Sequence, residues 1–344
     1  MTETEAGRGA YAASGVDVEA GHRAVELIRE VAARATRPDV VEAVGGFAGV
    51  VKLGEGRLLV ASADGVGTKL EVARLAGRLD TVGIDCVAMC ANDVVCTGAE
   101  PLFFLDYLAV GRMVPEEVAS IVGGVAEGCR RAGCALLGGE TAEHPGTLQD
   151  GRFDLAGFSV GIVDEAGRLG PERVRPGDVL VGLPSTGLHA NGFSLVRRVL
   201  VDQGRSLGEF VPSLGRPLGE ELLEPTAVYV RPVLELARAG LVRAAAHITG
   251  GGWTENLPRA LGPGLGARID RRAWTSLPIF SLVAEAAGLD PTELFGVLNM
   301  GIGMILAVPP GGTDRALEVC RESSVEAVIL GEVVKESGIR FSAG

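Results

Sequence analysis

Aromatic residues are scarce in this chain, with Phe, Trp and Tyr together making up 4% of it. That is too few rings for the stacking platforms on which single-stranded nucleic acid is held. Basic runs are missing too. Lys and Arg number 32 against 44 Asp and Glu, a formal charge of −12, so nothing marks a nucleic-acid or anionic membrane surface. No apolar run reaches the roughly 18 residues that would cross a bilayer. The opening Met1-Thr2-Glu3-Thr4-Glu5 lacks the basic-then-apolar pattern of an export signal. The six cysteines sit mostly inside apolar segments and do not form the framework of a secreted disulfide scaffold. These absences point to a cytoplasmic globular protein that binds neither nucleic acid nor membrane. Phosphate can still be held locally, by backbone N–H groups and a few cations.

What the chain has in excess is glycine, 51 of 344 residues, about twice the usual share of roughly 7%. With no collagen period, that excess belongs in turns and in loops where backbone approaches a ligand. The length predicts two domains of about 150 residues each. Apolar spacing predicts helices over 17–35, 81–97 and 115–132, and strands over 49–53, 57–63, 102–110, 134–137 and 153–163. Between Asp164 and Asp178 the composition shifts to Gly, Pro and charge, which marks a boundary. The predicted units are a flexible segment 1–16, a first domain 17–167 and a second 168–344. In the second, strands at 179–183, 267–269, 303–308 and 327–334 alternate with helices, giving α/β layers in an α+β two-domain chain. The charged tail EVVKESGIR reads as solvated surface.

Three carboxylates of the first half stand out. Asp64 follows the apolar LLVASA, Glu140 follows CALLGG, and Asp93 interrupts the apolar helix MCANDVVC. A carboxylate at a core edge is costly without a cation or several donors, and strand ends are where α/β folds collect ligands. Converging, the three would make a hard oxygen site for Mg²⁺ and a nucleotide's phosphates. Each could equally cap a helix or bond nearby backbone. The segment Asp64-Gly65-Val66-Gly67-Thr68-Lys69 offers an anion nest, a hydroxyl and a cation, without Walker A spacing. On spacing alone it is equally a glycine turn opening a helix. Asp85, Met89 and Asn92 form one line on the helix 81–97, beside the face holding Cys86, Met89, Cys90 and Asp93. In the second half, STGLHANG at 185–192 and HITGGGWTEN at 247–256 put His189, Asn191, His247 and Gly250, Gly251 and Gly252 in glycine-rich loops that suit anions. A structural role for either histidine stays open.

Taken together, GVDVEAG (15–21), ADGVGTK (63–69), GAEPLFFLDY (98–107), LGGETAEHPG (137–146), GLHANGFSLVR (187–197) and HITGGGWTENLPR (247–259) resemble the phosphoribosylformylglycinamidine cyclo-ligase, or AIR synthetase, family over nearly the whole chain. The resemblance implies ATP-dependent ring closure of formylglycinamidine ribonucleotide, a small-molecule substrate, through an iminophosphate. It implies Mg²⁺ as the metal and a homodimer in which first-domain strands of two subunits form a barrel. Carried over by position, it implies metal ligands at Asp64, Asp93 and Glu140. Nucleotide contacts fall at Gly65, Gly67, Thr68, Lys69 and Asn92, with Gly45, Gly46 and Gly49 as a cover. Lys69, His189, Asn191 and His247 are implied as catalytic, with Gly250, Gly251 and Gly252 holding phosphate or shaping the cleft. Phe193 stands where the family commonly has tyrosine, so no hydroxyl acts there. Related ATP-using enzymes share DGVGTK but not GAEPLFFLDY; a non-catalytic paralogue would have lost Asp64, Lys69, Asp93 or Glu140.

Overall fold

The computed structural model describes Gly9 and residues 12–342; most of the segment expected to be flexible therefore lies outside the described residues. Helix α1 (Val18–Ala32) begins on Asp17, whose carboxylate accepts the Ala20 N–H at 2.9 Å, the usual N-cap bond. Strands β1 (Val40–Glu42), β2 (Gly49–Gly54) and β3 (Arg57–Gly65) follow, then α2 (Lys69–Ala76), α3 (Val82–Cys96), β4 (Glu100–Val110), α4 (Pro115–Ala132), β5 (Ala135–Glu143) and β6 (Phe153–Asp164). The β2–β3 hairpin turns through Gly54, Glu55 and Gly56, all at positive φ. These strands form one six-stranded sheet in the order β1-β2-β3-β6-β4-β5. Only β4 and β5 are parallel in it, because α4 carries the chain back across the sheet between them.

Leu58, Val60, Phe104, Leu108 and Leu155 are buried on the helix-facing side of this sheet. Every residue of α3 is buried except Asp93, the signature of a helix enclosed all round. Two glycines let α3 meet α4 backbone to backbone. A methyl on Gly83 would lie 2.1 Å from the Val125 nitrogen, and one on Gly124 2.3 Å from the Asp80 carbonyl oxygen. Gly83→Ala gains about 1 kcal/mol of helix propensity, but backbone cannot step aside as a side chain can. Overpacking of about 1–3 kcal/mol should prevail, so the urea midpoint should fall. A raised midpoint would show that the helices can part at little cost.

The second half comprises β7 (Val179–Pro184), a small hairpin of β8 (Phe210–Val211) and β9 (Arg216–Pro217), α5 (Val230–Arg238), β10 (Ala244–His247), α6 (Gly252–Leu261), β11 (Gly266–Asp270), α7 (Pro278–Ala287), β12 (Ile302–Val308), α8 (Thr313–Glu322), β13 (Val328–Val334) and β14 (Gly338–Ser342). Its sheet runs β10-β12-β7-β13-β11-β14. Only β11 and β14 pair in parallel, so both halves carry mixed sheets. The tail read as solvated surface is in part an edge strand, with Ile339 and Phe341 packed against the core. No helix among the described residues is long and apolar enough to cross a membrane.

Candidate active site

The polar groups of interest gather where α3 meets the second half. Asp64 lies one residue from the end of β3, and its Oδ1 accepts the N–H of Gly65 at 2.7 Å. Burial pushes its carboxyl up to about 6, and the charge of nearby Asp93 adds to the rise; the Gly65 N–H and His247 oppose it. Asp93, half-buried on α3, meets His247 Nδ1 at 2.9 Å. Among the described residues, no lysine or arginine pairs with either carboxylate. A pair of partly buried acids with no lysine or arginine partner among the described residues suits a hard cation. Mg²⁺ commonly takes only one or two carboxylates, completing its shell with water and substrate phosphates. The donor set therefore fits that ion.

Glu140 does not join them within one chain. The sequence placed it at a strand end, but β5 continues to Glu143. The register aligns Asp64, Gly157, Asp106 and Gly139 in one row across β3, β6, β4 and β5. Glu140 is one residue on, so it faces the opposite side of the sheet, beside Tyr107. Three strand spacings, roughly 14 Å, also separate it from β3. No group of three or more His, Cys, Asp or Glu suited to a metal occurs among the described residues. A carboxylate that does share both the face and the row of Asp64 is Asp106, buried and with its carboxyl raised by that burial. Sequence reasoning missed it; the signal was a lone acid at a core-facing position in LFFLDYLAV.

Lys69 also departs from expectation. Its side chain is completely buried, and the ammonium donates to Asp85 Oδ1 at 2.9 Å, His189 O at 3.0 Å and Glu224 O at 2.7 Å. An ammonium has three hydrogens, so none remains for a phosphate. Asp85 further accepts the N–H and hydroxyl of Thr226 at 2.8 and 2.6 Å. Burial lowers the Lys69 pKa and raises that of Asp85, each countered by the other. Asn92 is equally enclosed, bonded to Ala227, Tyr229 and His247 rather than open to a nucleotide.

His189 is buried with φ 63°, and burial holds its ring well below the usual histidine range, helped by His247 and Lys69. The ring is therefore neutral near pH 7. Its Nε2 accepts the Thr186 N–H at 3.3 Å, while Nδ1 has no partner among the described residues. Asn191 is half-buried; its Nδ2 lies 3.5 Å from Met89 Sδ, and its Oδ1 stands beside Gly250. The glycine loop 250–252 is held from below by Asn256, whose Nδ2 donates to the carbonyls of Gly250 and Gly252 at 3.0 and 2.7 Å. Gly251 and Gly252 have φ of 81° and 58°, and a side chain at Gly252 would strike the Phe295 carbonyl. Thr68 Oγ1 meets Ser194 Oγ at 3.3 Å. The turn at 64–68 and the loop at 250–252 are thus both neighbours of the segment 191–194. Gly45, Gly46 and Gly49 line a hollow of about 680 Å³ with Arg29, Phe47 and 61–63, reaching the residue before Asp64.

The family profile described as AIR synthase related protein, N-terminal domain, matches residues 45–163, and that of the C-terminal domain matches 175–344. The phosphoribosylformylglycinamidine cyclo-ligase of Geobacillus kaustophilus is 49% identical over 340 residues, 97% of this chain and 98% of that protein. The one from Shouchella clausii is 51% identical over 334 residues, 96% of this chain and 97% of its own length. Among solved structures, thiamine-monophosphate kinase from Stenotrophomonas maltophilia superposes with a TM-score of 0.63 at 18% identity, covering 92% of this chain and 96% of that one. Thermotoga maritima PurL complexed with ADP gives 0.59 at 19%, covering 88% of this chain and 44% of that one. At such identities the solved structures speak for the fold.

Proposed function

The chain belongs to the AIR synthase related family, with phosphoribosylformylglycinamidine cyclo-ligases as relatives along nearly its whole length, and on that premise we propose how its own residues serve the reaction. It is a ligase of purine biosynthesis that closes formylglycinamidine ribonucleotide to aminoimidazole ribonucleotide at the expense of ATP. The formyl oxygen is a poor leaving group. Phosphorylation converts it to an iminophosphate, from which phosphate departs as the neighbouring nitrogen attacks. We assign 17–167 to ATP and Mg²⁺, and 168–344 to completing the substrate cleft, in a cytoplasmic enzyme.

The observation that carries this assignment is the Asp64–Asp93 pair beside the glycine turn. These carboxylates would hold Mg²⁺, which neutralises triphosphate charge during transfer. Gly65, Gly67 and Thr68 present backbone and hydroxyl groups to phosphate, and the hollow under Gly45, Gly46 and Gly49 takes the nucleoside. Asn191, Ser194 and Gly250 face the substrate from the second half, fixing the reacting groups in line. Lys69 and His189 act behind this surface, holding the 185–192 loop. With formylglycinamidine ribonucleotide, ATP and Mg²⁺, the protein should release ADP, phosphate and the aminoimidazole in equal amounts. ATP consumption only with a different acceptor would overturn the assignment.

A homodimer is supported by the outer face of the first sheet, where Phe158 and Tyr107 are 40% and 42% exposed alongside Leu105 and Ala63. Contiguous apolar surface of this kind calls for a partner. Two such faces packed together would form the barrel, and Glu140, on that same face, would reach a metal site only from the second copy. Phe158→Glu should shift sedimentation from dimer to monomer. A dimer as stable as the wild type would remove this face from the interface.

A further inference from the structure

Asn92 has every group of its buried side chain committed. Its Oδ1 accepts the Tyr229 N–H at 2.8 Å, and its Nδ2 donates to Ala227 O at 2.9 Å. The same Nδ2 lies 3.3 Å from His247 Nε2. An amide nitrogen only donates, so Nε2 must accept and carries no proton. The ring proton then sits on Nδ1, which faces Asp93 Oδ1 at 2.9 Å. The ring thus accepts from Asn92 on one side and donates to Asp93 on the other. It is also fully buried.

We propose that Asn92 and His247 are positioning residues for Asp93: Asn92 fixes the imidazole tautomer, and the resulting Nδ1–H holds one carboxylate oxygen, leaving Oδ2 available to the cation. Partners behind a metal ligand set its orientation in this way. His247 lies on β10, paired with Met304 of the second sheet, whereas Asn92 and Asp93 lie on α3. The carboxylate's aim is therefore set by the seating of one half of the chain on the other. This inference rests on Asp93 being a ligand to the metal, as proposed above.

The test begins with ¹⁵N-histidine NMR of the wild-type protein, the His247 signals being assigned by their loss in His247→Ala; the chain has four histidines. A proton on Nδ1 and none on Nε2 is expected, and an Nε2–H would overturn the proposal. Mn²⁺ binding is then followed by electron paramagnetic resonance with a non-hydrolysable ATP analogue. His247→Ala should weaken Mn²⁺ about tenfold to a hundredfold, with KM for formylglycinamidine ribonucleotide unchanged. His247→Asn should restore most of the affinity, because its Nδ2 replaces the Nδ1–H donor. Equal losses in both folded variants would exclude the positioning bond. Unchanged Mn²⁺ affinity in Asp93→Asn would instead defeat the underlying ligand assignment, while the tautomer measurement would stand separately.

Discussion

Asp64→Asn is expected to cut turnover about a hundredfold or more while making the protein more stable. The two effects share a cause. Asp64 is held in a half-buried site beside Asp93, where its carboxyl rises to about 6. An acid whose folded pKa is raised binds its proton more tightly folded than unfolded. Its contribution to stability is thus best below its model value of 3.8, declines as pH climbs to about 6, and is a full penalty above that. Removing the charge should return on the order of 1–3 kcal/mol at pH 7.5. Asn keeps an oxygen for the Gly65 N–H, so the turn survives. A melting temperature up by a few degrees with turnover lost is the expected pairing; normal turnover, or a lower melting temperature, would mean that Asp64 serves the fold instead. Protons should likewise compete with the metal, so Mg²⁺ affinity should fall as pH drops below about 6.

Lys69→Met is expected to be the most destabilising change in the cleft. It strands Asp85 in a fully buried position and deprives the His189 and Glu224 carbonyls of their donor. Breaking a buried pair from one side costs about 3–5 kcal/mol. Adding Asp85→Asn should recover part of that loss, since no unpaired charge then remains, and a non-additive double-mutant cycle would register the coupling. KM for ATP in folded protein should change little. Normal stability with a greatly raised KM for ATP would put the ammonium back on the nucleotide.

Helix α3 was legible from sequence because an enclosed apolar helix leaves few alternatives, and the misfit of Asp93 within it pointed to the cleft. What escaped was long-range. Lys69 reads as a phosphate ligand because DGVGTK is a local signal, whereas Glu224 and His189, which occupy its donors, lie 155 and 120 residues away. Glu140 was misplaced by strand parity: extending β5 past Gly138-Gly139 puts the glutamate on the other face, which no composition reveals. Asp106 was hidden inside an apolar run whose core-facing positions only the register identifies. Strand β14 escaped because its Ile339 and Phe341 alternate with charge and glycine over just five residues.

The central claim is that Asp64 and Asp93 jointly hold the divalent ion that accompanies ATP. It is tested most directly by titrating Mn²⁺ into wild-type, Asp64→Asn and Asp93→Asn proteins in the presence of a non-hydrolysable ATP analogue, with Glu116→Gln at an exposed position of helix α4 as control. Tight Mn²⁺ in the wild type and the control, lost in both aspartate variants, is the expected result. Undiminished Mn²⁺ binding in either folded aspartate variant would contradict it.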